Sequence, residues 1–269
     1  MNQNCQKCQA VNPMTASYCQ NCGSTLGATV MQGRTVVAPL PSTPVPDKLV
    51  NTAVQRAQQA FGNAPITTGM NQMTRSRLNQ REQTGFVTDK SGSMSARYDG
   101  RLRKIEAASR AGITMVLNKY RIDPNDEVGI VTFESNAQVI LGLCPLHSHK
   151  TQIIQALQSI RSGGGTDINE GLKAARDMFD WSRNDVVRRI VLLTDGHGGH
   201  PIRTAEDLKS RGVVIEVIGV GDCPSNVDEK LLKKVASVIE GELRYWFIKD
   251  QKTLFETFTQ LSNKTATCA

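Results

Sequence analysis

No apolar run in this chain approaches the roughly 20 residues that a membrane-crossing helix needs, so a helical membrane span is not expected. Aromatic residues are scarce at 5%, but hydrophobic residues reach 39%, an ordinary balance for a globular domain. Acidic residues are nearly missing from the first 81 positions: Asp47 stands alone against seven Lys and Arg, which places +6 of the +7 net charge there. Apart from one short stretch near residues 50–61, apolar periodicity begins only near residue 82. A chain of 269 residues is therefore expected to hold one sizeable core and something smaller. Seven charges over 81 residues make a thin patch, which leaves nucleic-acid binding as an alternative rather than the expectation. The polar opening Met1-Asn2-Gln3-Asn4 runs straight into a cysteine motif, with no apolar core for a secretory signal. A cytoplasmic location is expected.

Four of the seven cysteines form two C-x-x-C units, Cys5-Gln6-Lys7-Cys8 and Cys19-Gln20-Asn21-Cys22. Two tight turns at this spacing present four thiolates to one tetrahedral ion. With Asn12-Pro13 as a turn between the knuckles and Gly23 after the last cysteine, residues 1–26 resemble the short zinc ribbons at the ends of many bacterial and archaeal proteins. Four thiolates leave no open position, so Zn²⁺ is expected to be structural there, as a segment of this length generally needs metal to fold. A redox dithiol explains a single C-x-x-C, but two matched units with no βαβ pattern around them argue against it. Cys144, Cys223 and Cys268 are scattered.

Residues 27–81 are rich in Thr, Pro, Gln and Asn, centred on Pro39-Leu40-Pro41-Ser42-Thr43-Pro44-Val45-Pro46, and read as an extended spacer. Within it Asp47 can cap a short helix over 47–61, where Val50, Val54, Ala57 and Phe61 recur at helical intervals.

From residue 82 to 263, β-rich runs alternate with helix-period stretches, the order of a sheet covered by helices on both faces; residues 264–269 form a tail. Strands are expected at 84–89, at 128–133 with an antiparallel partner at 138–141, at 190–193, at 213–220 and at 243–247. The spacing predicts helices through Leu102–Met115, Ile153–Ile160, Ile168–Phe179, Leu231–Val238 and Leu254–Leu261. The expected fold class is α/β, a doubly wound, mostly parallel six-stranded sheet with one antiparallel edge hairpin strand.

In such sheets ligands collect beyond the carboxyl ends of the strands. Three polar turns fall there: Asp89-Lys90-Ser91-Gly92-Ser93, Gly163-Gly164-Gly165-Thr166-Asp167 and Thr194-Asp195-Gly196. Taken together they resemble the von Willebrand factor type A domain family, whose metal-ion-dependent adhesion site reads D-x-S-x-S, then Thr, then Asp. Asp126-Glu127-Val128-Gly129-Ile130-Val131-Thr132-Phe133 and Gly219-Val220-Gly221-Asp222 are similar to the family too, and the resemblance covers roughly residues 82 to 263. Gln83, Thr84 and Glu216 depart from its apolar strands, which suggests a shorter first strand and a solvent-reaching or paired glutamate.

The resemblance implies a Mg²⁺ or Mn²⁺ site formed by Asp89, Ser91, Ser93, Thr166 and Asp195. The three hydroxyls would coordinate directly and the two carboxylates largely through water, leaving a position for an Asp or Glu of a protein partner. Hard oxygen ligands suit these cations, and no cysteine sits in the loops to favour zinc. A non-enzymatic interaction module within a multi-protein assembly is therefore expected. One alternative is a phosphatase-like hydrolase, but the position two after Asp89 holds Ser91, where such enzymes place a second carboxylate as acid–base. Another is a metallohydrolase on His197 and His200 with His147 or His149; those imidazoles lie on a glycine loop and read more simply as surface residues. Gly163-Gly164-Gly165 lacks the Lys-Ser/Thr of a phosphate-binding loop. Arg97, Arg101, Arg103 and Lys104 either ring an acidic partner surface or, more simply, form a solvated helix start.

Overall fold

The computed structural model describes residues 2–4, 9, 11–13, 80–98, 102–196 and 198–263. Cys5, Cys8, Cys19 and Cys22, positions 27–79 of the spacer with its expected helix, Arg101, His197 and the tail lie outside the described residues. The chain divides into two compact units, Met1–Asp47 and Lys48–Ala269. In the first, β1 (Asn2–Asn4) and β2 (Val11–Pro13) pair antiparallel, with Asn4 opposite Val11.

The second unit is built on β3 (Arg81–Asp89), β6 (Glu127–Phe133), β7 (Ala137–Pro145), β8 (Val186–Thr194), β9 (Val213–Val220) and β12 (Tyr245–Ile248). They form one six-stranded sheet in the order β12-β9-β8-β3-β6-β7, parallel throughout except for β7, which runs antiparallel to β6. Between β3 and β6 the chain makes a short 3-10 turn at Gly92–Ser95, a small hairpin of β4 (Arg97–Tyr98) and β5 (Leu102–Arg103), and α1 (Lys104–Ile122). The remaining helices are α2 (Leu146–Ser159), α3 (Ile168–Met178), α4 (Ile202–Ser210), α5 (Glu229–Val235) and α6 (Gln251–Leu261). A second hairpin joins β10 (Val238–Ile239) to β11 (Glu242–Leu243).

Alternation along the strands explains both cores. In β8, Val191 and Leu193 pack with α1, α2 and α6, while Ile190 and Leu192 pack with α3, α4 and α5. A strand covered on both faces needs an unbroken apolar run, and each such side chain removed from water contributes about 1.5–3 kcal/mol. Aspartates set the helix starts: Asp167 accepts from the Asn169 N–H of α3, Asp228 from Leu231 in α5 and Asp250 from Thr253 in α6.

Three expectations change. The first strand is longer than residues 84–89, because its polar start is paired inside the sheet: Gln83 Nε2 donates to Glu127 Oε2 at 2.7 Å and Thr84 Oγ1 to Glu82 Oε1 at 2.7 Å. The strand expected over 243–247 splits at Arg244, Leu243 closing a hairpin and Tyr245 opening the edge strand. The fifth helix stops at Val235, and Val238 belongs to that hairpin, turned by Glu240 and Gly241 at positive φ.

Glu216 is paired and fully inside, part of an ionic cluster at the amino ends of the strands. Lys119 Nζ lies 2.7 Å from Glu82 Oε1 and 3.2 Å from Asp126 Oδ2. Arg189 Nη1 is 3.3 Å from Glu82 Oε1, and its Nε is 3.0 Å from Glu216 Oε2, a charge contact rather than an aligned hydrogen bond. Arg189 also donates to the carbonyls of Leu261 (2.5 Å) and Asn263 (3.1 Å), tying the end of α6 to the sheet. Burial would push the Glu82 carboxyl up, but Arg189 and Lys119 hold it down at about 2. Burial raises Glu216 despite Arg189.

Candidate metal centre

From β3 the chain crosses through α1 to β6 on one side, and from β8 it continues to β9 on the other, so the strand order reverses between β3 and β8. That switch point opens a crevice at the carboxyl ends of the two strands. Asp89 is the last residue of β3, and Asp195 follows the last residue of β8.

Backbone hydrogen bonds then stitch the loop of residues 163–167 onto the first loop. Gly92 N–H donates to Gly164 O (3.0 Å) and Gly163 N–H to Lys90 O (2.6 Å), while Asp167 N–H ties the same loop to Glu134 O just after β6 (2.6 Å). Gly164 has φ +88°, and a Cβ there would overlap the Glu134 carboxylate, so glycine is required. Gly198 passes so close to the Thr166 carbonyl that a Cβ would overlap it as well.

The five residues expected to form the site converge. Ser91 N–H donates to Asp89 Oδ1 at 2.7 Å, Ser91 Oγ and Ser93 Oγ are 3.0 Å apart, and Ser93 Oγ donates to Asp195 Oδ1 at 2.7 Å. The Cβ direction of Gly196 points 3.3 Å from Thr166 Oγ1 and 3.6 Å from Asp89 Oδ2, so the threonine hydroxyl and the aspartate face one point. Asp89, Ser91 and Asp195 are buried, Thr166 is half-buried and Ser93 is exposed. The carboxylates and Ser91 thus form a floor, and the Thr166 and Ser93 hydroxyls a rim toward solvent.

Burial pushes the Asp89 carboxyl up to about 6; hydrogen bonds from Thr194 and Ser91 oppose the rise, and the nearby Asp195 adds to it. Two buried carboxylates beside three hydroxyls form an all-oxygen donor set, which fits a hard divalent cation. Among the described residues no group of three His, Cys, Asp or Glu side chains is placed to hold a metal ion; the set here counts two carboxylates and three hydroxyls.

Two neighbours act without having been singled out as site residues. Thr194 Oγ1 donates to Asp89 Oδ2 at 2.6 Å and accepts from Gly196 N–H at 3.2 Å, which fixes the orientation of the carboxylate. Lys104, read from sequence as part of a solvated or partner-facing basic run, turns inward instead, its Nζ 2.7 Å from Asp195 Oδ2. Arg97 and Arg103 are exposed, as that reading expects. Helical periodicity puts Lys104 on the buried face of α1, four and seven residues ahead of buried Ala108 and Ala111, although it does not name the partner. Among the described residues, His147 and His149 are not brought to His200. His147 N–H donates to Pro124 O, ahead of β6, which sets His147 and His149 at the end of the sheet opposite Asp89. His200 is exposed.

Residues 84–197 match the sequence model of the von Willebrand factor type A domain. The chain contains a von Willebrand factor type A domain. Its sequence is 30% identical over 210 residues to calcium-activated chloride channel regulator 1 of Bos taurus, spanning 76% of this chain and 22% of the bovine protein. It is 27% identical to protein sll0103 of Synechocystis, over 65% of this chain and 40% of that protein. The chain therefore matches less than half the length of either relative. Among solved structures, a von Willebrand factor type A protein from Catenulispora acidiphila superposes with a TM-score of 0.57 at 23% identity, covering 69% of this chain and 42% of that one. Proximal thread matrix protein 1 of the mussel byssus, solved with a zinc-occupied MIDAS motif, superposes at 0.56 and 23% identity, over 69% and 46%. At these identities the likeness is one of fold. The type A domain accounts for the doubly wound sheet and for the position of the crevice at its switch point.

Proposed function

We propose that the type A domain is a non-enzymatic interaction module that binds a divalent cation through Asp89, Ser91, Ser93, Thr166 and Asp195 and uses it to capture an acidic side chain of a protein partner. The observation that carries this reading is the convergence of the three loops on one crevice, with Asp89, Ser91 and Asp195 buried beneath the more open Thr166 and Ser93. The mussel byssus protein, whose MIDAS motif holds zinc, supports a divalent ion in a domain of this fold. Hydroxyl and carboxylate oxygens favour Mg²⁺, with Mn²⁺ as substitute. When bound, the cation supplies Lewis acidity toward a carboxylate oxygen. The residues of this chain do the rest: Thr194 and the Ser91 N–H orient Asp89, Ser93 orients Asp195, and the half-buried Thr166 and exposed Ser93 leave room for an incoming side chain.

A hydrolase reading is weaker. Ser91 stands where a phosphatase of similar sheet needs a second carboxylate, and His147 and His149 lie at the far end of the sheet. We further assign Cys5, Cys8, Cys19 and Cys22 to a structural Zn²⁺ in a ribbon over residues 1–26 and residues 27–81 to a tether, in a cytoplasmic bacterial scaffold that joins a multi-protein assembly. No nucleic acid or membrane partner is assigned.

The test is affinity capture from native lysate with wild type and Asp89→Ala/Ser91→Ala, each in Mg²⁺ or EDTA, read by mass spectrometry. Proteins retained only by wild type in Mg²⁺ are expected. Capture indifferent to both changes would place recognition elsewhere in the chain.

A further inference from the structure

Lys104 is the first residue of α1, and its position is unfavourable twice over. A buried lysine is rare unless paired, and a cation at a helix amino terminus opposes the helix dipole. Neither circumstance is required by the local fold. The turn into α1 is already held by Lys104 N–H donating to Ala96 O (3.0 Å) and by Arg103 N–H donating to Glu106 Oε2 (3.1 Å). What the ammonium does touch is Asp195, at 2.7 Å, with the lysine side chain 10% exposed and the aspartate side chain 0%. The other Asp195 oxygen accepts from Ser93.

The charges around the crevice can be counted. Asp89 and Asp195 bring two negative charges and Lys104 one positive. On the rim, Lys90 and Glu134 cancel in an ion pair at 2.9 Å, and the Asp167 carboxylate is offset in part by the positive end of α3, whose first N–H groups it accepts from. Among the two carboxylates of the donor set and the lysine that touches them, one negative charge remains. A divalent cation turns it into one positive charge, which a single carboxylate neutralises. Without Lys104 the loaded site would be neutral, and an incoming carboxylate would gain less.

We propose that Lys104 is a built-in counter-cation of the metal site, weakening its hold on the divalent ion and leaving the loaded site with the positive charge that an acidic ligand cancels. This rests on the metal-bridged reading above and assigns Lys104 a positioning and tuning role within it.

The test is calorimetric titration of the full chain with Mg²⁺ and with Mn²⁺, comparing wild type, Lys104→Met and Lys104→Arg. Removing an ammonium this close to a divalent ion is expected to tighten binding by about tenfold or more in Lys104→Met, while Lys104→Arg stays near wild type. In EDTA, Lys104→Met is expected to melt below wild type, and Mg²⁺ to raise its Tm by more. With Mn²⁺ loaded, paramagnetic broadening of acetate methyl protons should be stronger for wild type than for Lys104→Met. Unchanged or weaker metal binding by folded Lys104→Met, or equal acetate broadening, overturns the proposal while leaving the metal site standing. Failure of both variants to fold in saturating Mg²⁺ makes Lys104 a structural residue and also overturns it. Wild type that takes up neither cation overturns the reading and the inference together.

Discussion

Replacing Arg189 by Met tests the buried ionic cluster that closes the sheet at the end opposite the metal centre. The guanidinium is 2% exposed and faces Glu82 and Glu216, whose side chains are 1% and 2% exposed. Removing one partner of a buried pair generally costs about 3–5 kcal/mol, because the remaining charge keeps its desolvation penalty. Here Lys119 still neutralises Glu82, so the loss falls mainly on Glu216 and on the carbonyls of Leu261 and Asn263, and about 3 kcal/mol is expected. The cost carries a pH signature. Glu216 is already raised by burial and rises further without Arg189; a group with a raised folded value stabilises the fold while protonated and loses that contribution as pH rises. The deficit of Arg189→Met should therefore be larger at pH 8 than at pH 5.5. Urea unfolding at the two pH values measures both quantities. Arg189→Met/Glu216→Leu should recover most of the loss, since an apolar pair in place of a buried ion pair is often neutral. A single-variant cost below about 1 kcal/mol, or a deficit that grows toward acid, would refute the reasoning.

Asp89 gives a second pH prediction with its own window. Its folded value of about 6 exceeds the ordinary 3.8, so in the metal-free chain its contribution is full below pH 3.8 and lost as pH rises through 6, a swing of roughly 3 kcal/mol that Mg²⁺ should offset. Mg²⁺ affinity in calorimetry should fall by about tenfold per unit below pH 6, as the ion must displace that proton. Gly198→Ala should push the third loop away from the Thr166 carbonyl and weaken Mg²⁺ binding, with little change in Tm in EDTA because the crowded atoms lie in loops outside both cores. Cys144, buried with its thiol raised to about 12, should resist alkylation in the native chain, while exposed Cys223 is labelled at once; peptide mapping reads the difference.

What was legible in the sequence follows from period and punctuation. Ile190-Val191-Leu192-Leu193 reads as a strand covered on both faces, and each of its residues enters the core that its parity dictates. Asp89 and Asp195 were readable as candidates because strand ends of a doubly wound sheet meet at the switch point, wherever they lie in the chain, and the resemblance to the type A family is what added Ser91, Ser93 and Thr166. The start of β3 was misread because hydropathy scores Gln83 and Thr84 as breakers, whereas Glu127 and Glu82 pair them inside the sheet. The cluster of Arg189, Glu82, Lys119, Asp126 and Glu216 draws on four strands or strand approaches and a helix, and no local pattern announces such a partnership. The partner of Lys104 escaped for the same reason, since Asp195 lies 91 residues away.

The central claim is that three loops hold one hard divalent cation. Titrating Mn²⁺ into the purified chain, with the unbound ion followed by electron paramagnetic resonance, addresses it most directly, since thiolates at the amino end have little affinity for this ion. Wild type is expected to take up one Mn²⁺ that Mg²⁺ displaces, and Asp89→Ala to take up none while keeping the cooperative unfolding of wild type in EDTA. Uptake unchanged by Asp89→Ala, or no uptake by wild type, would contradict the assignment of these residues as a metal site.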